Sequence, residues 1–292
     1  MQKLLMLGLV GFVAQLIDGA LGMAYGVTST TLLVTTGVAP AAASASVHLA
    51  EVGTTLASGA AHWKFGNINW RVVALMTVPG AFFAFLGAVA LSSISAETAV
   101  PLVSAFLFCL GVYILVRFAR SRIAPPNRRP LPWFFLAPLG GFAGFMDAAG
   151  GGGWGPIGTT SLLSSGRMEP RQVVGSVDAA EFLVSVGASA GFLVALDSSE
   201  LHAGWLVALL AGGLVAAPIA AWLVRRLPAR ILGTAVGGLI LVTNARTFGE
   251  AVGADAHLVL GVVLALAAVW VAAVAAAVAG LRRDRQLAAE AA

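Results

Sequence analysis

Acids are scarce in this chain, 13 Asp and Glu among 292 residues, yet Asp18, Glu51, Asp147, Asp178 and Glu181 all stand well inside apolar segments. An ionised carboxylate in hydrocarbon costs roughly 3 kcal/mol even on the lenient insertion scale, so each needs a water-filled cavity, a partner or a proton. His48 and Glu51 are three residues apart, as are Asp178 and Glu181, which places each pair on one helix face. Ser44 and Thr55 lengthen the first stripe and Ser185 the second, and two such stripes facing each other would line a central site. Glu51 and Glu181 have no backbone to serve in mid-helix, so proton coupling is assigned to them, with His48 and Asp178 as modifiers.

Asp18 and Asp147 differ, because each precedes a glycine-rich break. The stretch 16–31 carries Asp18, Gly22, Tyr25, Gly26, Thr30 and Thr31; the stretch 145–160 carries Asp147, Gly151, Gly152, Gly153, Trp154, Gly155, Thr159 and Thr160. A carboxylate there is either a cap for the helix that restarts or part of the working site, and both readings stay open. The glycines likewise allow close helix packing or offer bare N–H groups as a nest for an anion. The anion reading is preferred because the break is duplicated, with Tyr25 and Trp154 in matching places. The expected substrate site therefore comprises those glycines, the two aromatics and the paired threonines.

These residues must be held by helices in a membrane. With 59% hydrophobic and 10% charged residues and a mean hydropathy of +0.93, no single soluble core hides the apolar surface. The net charge of +4 reflects loop arginines rather than a nucleic-acid surface. The lone Cys109 gives neither a disulfide nor a Cys-based metal site, and no cofactor is called for. Lys3 before the first apolar run resembles a signal peptide without its cleavage site, so the run is read as retained. Residues 4–38 would make about 50 Å of helix against about 30 Å of hydrocarbon, so two half-helices joined near mid-membrane fit better than one span. Helices follow at 40–62, 71–91 and 98–117. A linker with five arginines and several prolines occupies 117–130. A second long block at 132–163 is followed by helices at 170–196, 202–224 and 229–247, and an unmatched helix at 257–281.

The halves align. An offset of 129 residues carries Asp18 to Asp147, Gly22 to Gly151, Gly26 to Gly155 and Thr30, Thr31 to Thr159, Thr160; one further residue carries Pro40 to Pro170 and Glu51 to Glu181. Walking back from a cytoplasmic C-terminus, the arginines at 225–230 and 167–171 fall inside and the acids at 197–200 outside. The linker stays inside only if block 132–163 returns to the side it left. The fold class is thus an all-α polytopic membrane protein with two inverted repeats, each a broken or re-entrant hairpin followed by three transmembrane helices, plus one extra C-terminal helix. Its parts are 1–118, the cytoplasmic linker 119–131, 132–248, and 249–292 with a basic tail. The N-terminus is placed in the periplasm and the C-terminus in the cytoplasm.

The runs FVAQLIDGALGMAYG from Phe12 and GFAGFMDAAGGGGWGP from Gly141, with the duplicated helices after them, resemble the sulfite exporter TauE/SafE transporters over about residues 4–250. The resemblance implies a permease in the bacterial inner membrane for a small sulfur-containing anion such as sulfite, sulfoacetate or another organosulfonate, and a homodimer. Its partners are then the anion, protons and the lipid bilayer, with no nucleic acid. An anion carrier with acids on its cavity faces makes sense if they are protonated in at least one transport state. The first copy reads Ala20-Leu-Gly-Met-Ala where the second has Ala149 and four glycines, so the hairpins are not expected to contribute equally. A non-transporting membrane subunit or sensor is the alternative. An intramembrane aspartyl protease is remote, because neither aspartate stands in a Gly-x-Gly-Asp element.

Overall fold

A computed structural model describes residues 2–119, 129–197, 203–223 and 229–290. Most of the linker, residues 198–202 and the arginines at 225 and 226 lie outside the described residues. The described chain forms helices α1 (Gln2–Leu21), α2 (Tyr25–Thr35), α3 (Pro40–Lys64), α4 (Trp70–Ser92), α5 (Ala96–Ala119), α6 (Trp133–Gly150), α7 (Trp154–Ser164), α8 (Pro170–Ala195), α9 (Ala203–Leu223), α10 (Ala229–Ala251) and α11 (Ala256–Glu290), with no strand among the described residues. It is an all-helical fold, and both long blocks are broken. Among the described residues, five helices are long and apolar enough to cross a membrane: α4, α5, α8, α9 and α11. α3 is not among them, and its buried face carries Ser44, His48, Glu51, Thr55, Ser58 and His62. The outer surface exposes Phe82, Leu102, Phe134, Val194, Val215 and Leu260, an apolar area that suits lipid rather than water.

Each break has a local cause. Gly22 and Gly151 end α1 and α6 with φ of 66° and 73°, a left-handed turn that glycine enters without steric cost. The break divides each block into unequal arms rather than halves. α1 has 20 residues and α2 11; α6 has 18 and α7 11. The long arms measure roughly 27–30 Å and the short ones about 16 Å.

Packing runs across the halves. α5 lies against α10, α4 against α6 and α8, α9 against α1 and α3, and α3 against α8. Exchanging α1–α5 with α6–α10 maps this set of pairings onto itself, as a duplicated chain with a twofold relation requires. α11 stands outside the scheme, against α10 and α5.

Lipid offers no hydrophobic drive for helices to associate, so these seams depend on close approach of small residues. At the α4–α6 seam a Cβ added to Gly144 would lie 2.9 Å from Gly80 Cα, closer than carbon atoms pack. Gly144→Val should therefore lower stability by about 1–3 kcal/mol through overpacking, whereas Gly261→Ala on α11, where nothing lies within 4 Å of an added Cβ, should be neutral or slightly stabilising. Thermal unfolding of the purified variants checks the contrast; equal effects would mean that the seams are not close-packed.

Candidate functional site

The polar stripes of α3 and α8 face each other. Ser185 on α8 donates to Glu51 Oε2 at 3.3 Å, and Ser58 on α3 donates to Asp178 Oδ2. Each stripe also gathers the hairpin acid of the opposite half. His48, Glu51 and Asp147 bring their ligand atoms within 4.8 Å of one another, and so do Asp178, Glu181 and Asp18. The repeat that turns Asp18 into Asp147, His48 into Asp178 and Glu51 into Glu181 turns one triad into the other. All six residues are at most 5% exposed. The register continues outward: His48 stacks near Phe192 at a centroid distance of 5.9 Å, and His62, the counterpart of Phe192, stands 3.5 Å from Asp178.

In the first triad, His48 Nδ1 is 2.8 Å from the Ser44 carbonyl, an acceptor that requires an N–H there. Its Nε2 is 3.1 Å from Asp147 Oδ2 and 3.9 Å from Glu51 Oε2. Either Nε2 also bears a proton and the ring is imidazolium, or a neighbouring carboxyl holds the proton and donates it. The triad accommodates one proton beyond a neutral imidazole. The second triad places three acids together, and like charges this close and this dry cannot all stay ionised without a compensating cation or proton. Asp18 Oδ2, Glu51 Oε1 and Asp178 Oδ1 receive no donor among the described residues.

The helix breaks cross beside the triads. A Cβ on Gly152 would lie 2.5 Å from Val27 N, one on Gly155 2.5 Å from Met23 Cα, and one on Gly26 3.1 Å from Glu51 Oε1. Thr159 donates to the Gly22 carbonyl and so ties α7 to the first break. Of the residues expected at the substrate site, Gly22, Gly26, Thr30, Gly151, Gly152, Gly155 and Thr159 meet at this crossing.

Several of them are engaged there. Asp147 reaches over its break and accepts from the N–H groups of Gly153 at 2.6 Å and Trp154 at 2.9 Å, while its carbonyl accepts from those of Gly151 and Gly152. It caps α7, and the N–H groups of Gly151, Gly152, Gly153 and Trp154, expected to cradle an anion, are filled by the chain itself. Asp18 plays the same part more weakly, accepting from Tyr25 N at 3.4 Å. Tyr25 donates to Leu209 O and Trp154 to Val177 O. Thr160 accepts from Tyr113 at 2.7 Å and Thr31 from Asn244 at 2.9 Å, again a pair of matching bonds in the two halves. Within the two hairpins, the hydroxyls and amides left without hydrogen-bond partners among the described residues are those of Gln15, Thr28, Ser29 and Thr30, all in the first hairpin and all buried. Thr28 and Ser29 escape a reading based on duplication because their counterparts are Ile157 and Gly158. His62 and Ser58 escape it because theirs are Phe192 and Ala188.

The family described as Sulfite exporter TauE/SafE matches residues 7–247. The chain belongs to this family. A protein of Bacillus subtilis (strain 168) named "Probable membrane transporter protein YtnM" is 47% identical over 281 residues, which cover 94% of this chain and 92% of that relative. No solved structure matches the chain. As a TauE/SafE member it is a multi-pass membrane transporter and not an enzyme.

For a TauE/SafE transporter the two caps are unequal supports of one crossing. Asp147→Ala should cost about 1–3 kcal/mol, because it strands two buried N–H donors, and Asp147→Asn, which keeps an acceptor oxygen, should recover most of that. Asp18→Ala should cost less than about 1 kcal/mol, since it gives up a single long contact and relieves a cluster of like charges. Thermal unfolding of the three purified variants checks the order; an Asp18 variant as damaged as Asp147→Ala would show that the first cap is the equal of the second.

Proposed function

We propose that this TauE/SafE member is a proton-coupled secondary transporter of a small sulfur-containing anion such as sulfite, sulfoacetate or another organosulfonate. It works by alternating access in the bacterial inner membrane, between two inverted repeats, with its site at the midplane between the two helix breaks. The observation that carries the reading is the pair of buried triads, His48-Glu51-Asp147 and Asp178-Glu181-Asp18, each assembled from both halves of the chain. A static scaffold has no use for acids placed so close together. A carrier of protons does.

The anion is received by the first hairpin, where Gln15, Thr28, Ser29 and Thr30 offer buried donors without partners of their own. Gly22, Gly26 and Gly151 to Gly155 let the two breaks approach closely enough to form one site, and Tyr25, Trp154, Thr31, Thr159 and Thr160 fix its walls. Glu51 and Glu181 carry the protons, with His48 and Asp178 setting how readily they are held. Protonated, these acids leave the site electrically open to an anion. When the site faces the more alkaline side they release their protons, and the restored negative charge expels the anion to that side. Proton and anion therefore move in the same direction.

Anion uptake into proteoliposomes should accelerate when the outside is more acidic than the lumen, and Glu51→Gln and Glu181→Gln should each reduce that acceleration at least tenfold. If both variants keep their flux and its dependence on the gradient, the carboxylates carry no protons. The orientation is tested separately, in a Cys109→Ala background. A cysteine at Asn127 should resist impermeant thiol reagents added to intact cells and react after the membrane is opened; reaction in intact cells would place the linker outside and remove the inverted topology.

A further inference from the structure

Away from the triads, the last residues of the linker, the start of α4 and the start of α8 enclose a cavity of about 310 Å³, within the size range of small-ligand pockets. Its charged lining consists of Arg71, Arg129 and Arg167 against the single acid Glu169. That acid is shared with Arg171, whose guanidinium meets its carboxylate at 2.9 Å, so the lining is net positive. The remaining polar wall is Asn69 and Gln172. Two helices begin here, α4 with Asn69 as its N-cap and α8 with Glu169 as its N-cap, and the positive ends of both helix dipoles add to the field of the arginines.

We propose that this cavity is a binding site for a small tetrahedral oxyanion, held by Arg71, Arg129 and Arg167. Arg71 and Arg167 also hold the linker. Arg71 donates to the Leu131 carbonyl at 2.6 Å and Arg167 to the Pro130 carbonyl at 3.2 Å, which fastens the end of the linker across the cavity. Each such bond uses one of the five N–H donors of a guanidinium, and the planar fork that remains matches the paired oxygens of a sulfate, sulfonate or phosphate. Three guanidiniums converge on one cavity that holds a single acid, and their mutual repulsion is relieved by a bound anion. The wall also connects with the transport helices, since Asn69 N donates to Ser176 Oγ on α8 at 2.8 Å, two residues before Asp178. The occupant is either a soluble oxyanion on its way to or from the central site or the phosphate of an anionic lipid, and both present the same chemistry.

Binding is tested on the purified full chain by following thermal unfolding through tryptophan fluorescence. Sodium sulfate or sodium phosphate is titrated against sodium chloride at matched ionic strength, so the readout does not depend on transport. Both divalent anions should raise the unfolding temperature of the parent saturably, and R71Q/R167Q should bind at least tenfold more weakly. If losing both linker bonds prevents that variant from folding, R129Q, which leaves those bonds in place, should weaken binding at least threefold. No saturable rise in the parent, or a rise undiminished in the variants, overturns the proposal. Repeating the titration in nanodiscs of phosphatidylcholine with and without phosphatidylglycerol assigns the occupant: sulfate affinity that falls with the anionic lipid identifies a headgroup site, and unchanged affinity identifies a site for soluble anions.

Discussion

A carboxylate that cannot reach water must find its compensation inside the protein, and here each half of the chain finds it in the other. Asp147 of the second hairpin lies between the N-terminus of its own short helix and the ring of His48 in the first half. Asp178 of the second half accepts from Ser58 and stands 3.5 Å from His62, both of the first half. Neither half could bury its acids alone without stranding charge, so the cost of dehydrating them holds the halves together. The seams obey the same exchange. α4 grips α6 as α9 grips α1, and the most extensive helix seams around the polar centre cross from one half to the other.

Much of this was legible in the sequence because membrane helices and duplicated acids leave strong marks. The apolar blocks, the glycine breaks and the counterpart helices α3 and α8, α4 and α9, α5 and α10 lie within a few residues of where hydropathy and the offset of the repeat place them. The spacing of His48 to Glu51 and of Asp178 to Glu181 correctly put each pair on a buried face. Two things were hidden. A sequence does not say which N–H groups a carboxylate will reach, so the glycine nest at Gly151 to Gly153 could not be known to hold Asp147 until the turn was seen. And alignment of the halves favours what is duplicated, so it passes over Gln15, Thr28, Ser29 and His62, whose counterparts are Gly144, Ile157, Gly158 and Phe192.

Those unduplicated residues make the two hairpins different machines. The second is satisfied: its cap accepts two short bonds, its break is built of glycines, and its threonines are bonded. The first holds Ala24 at φ 100°, a conformation that costs a residue with a Cβ on the order of 1–3 kcal/mol, and its cap is a single contact of 3.4 Å. It also keeps the unbonded hydroxyls. Strain, a weak cap and unpaired donors together describe a segment whose energy falls when something binds to it, whereas the second hairpin has little to gain. On the proposed reading, a substrate that stabilises only one of two related arms biases the molecule toward the state in which that arm is engaged, which is what a carrier needs in order to change state on loading.

The distribution of charge then sets an order on the process. Arginines crowd the mouth where the linker meets α4 and α8, and carboxylates crowd the centre between α3 and α8. An anion is attracted at the first and repelled at the second unless protons have arrived before it. In a medium of low dielectric constant the repulsion from even one uncompensated carboxylate at contact distance amounts to several kcal/mol, more than the net gain from a few hydroxyl hydrogen bonds. Under the proposed function, the anion therefore does not settle among the acids first and wait for protons. In the proposed proton-coupled cycle, protonation therefore comes before occupancy and loss of those protons before release, and the buried acids would fix the sequence in which the two ions enter and leave.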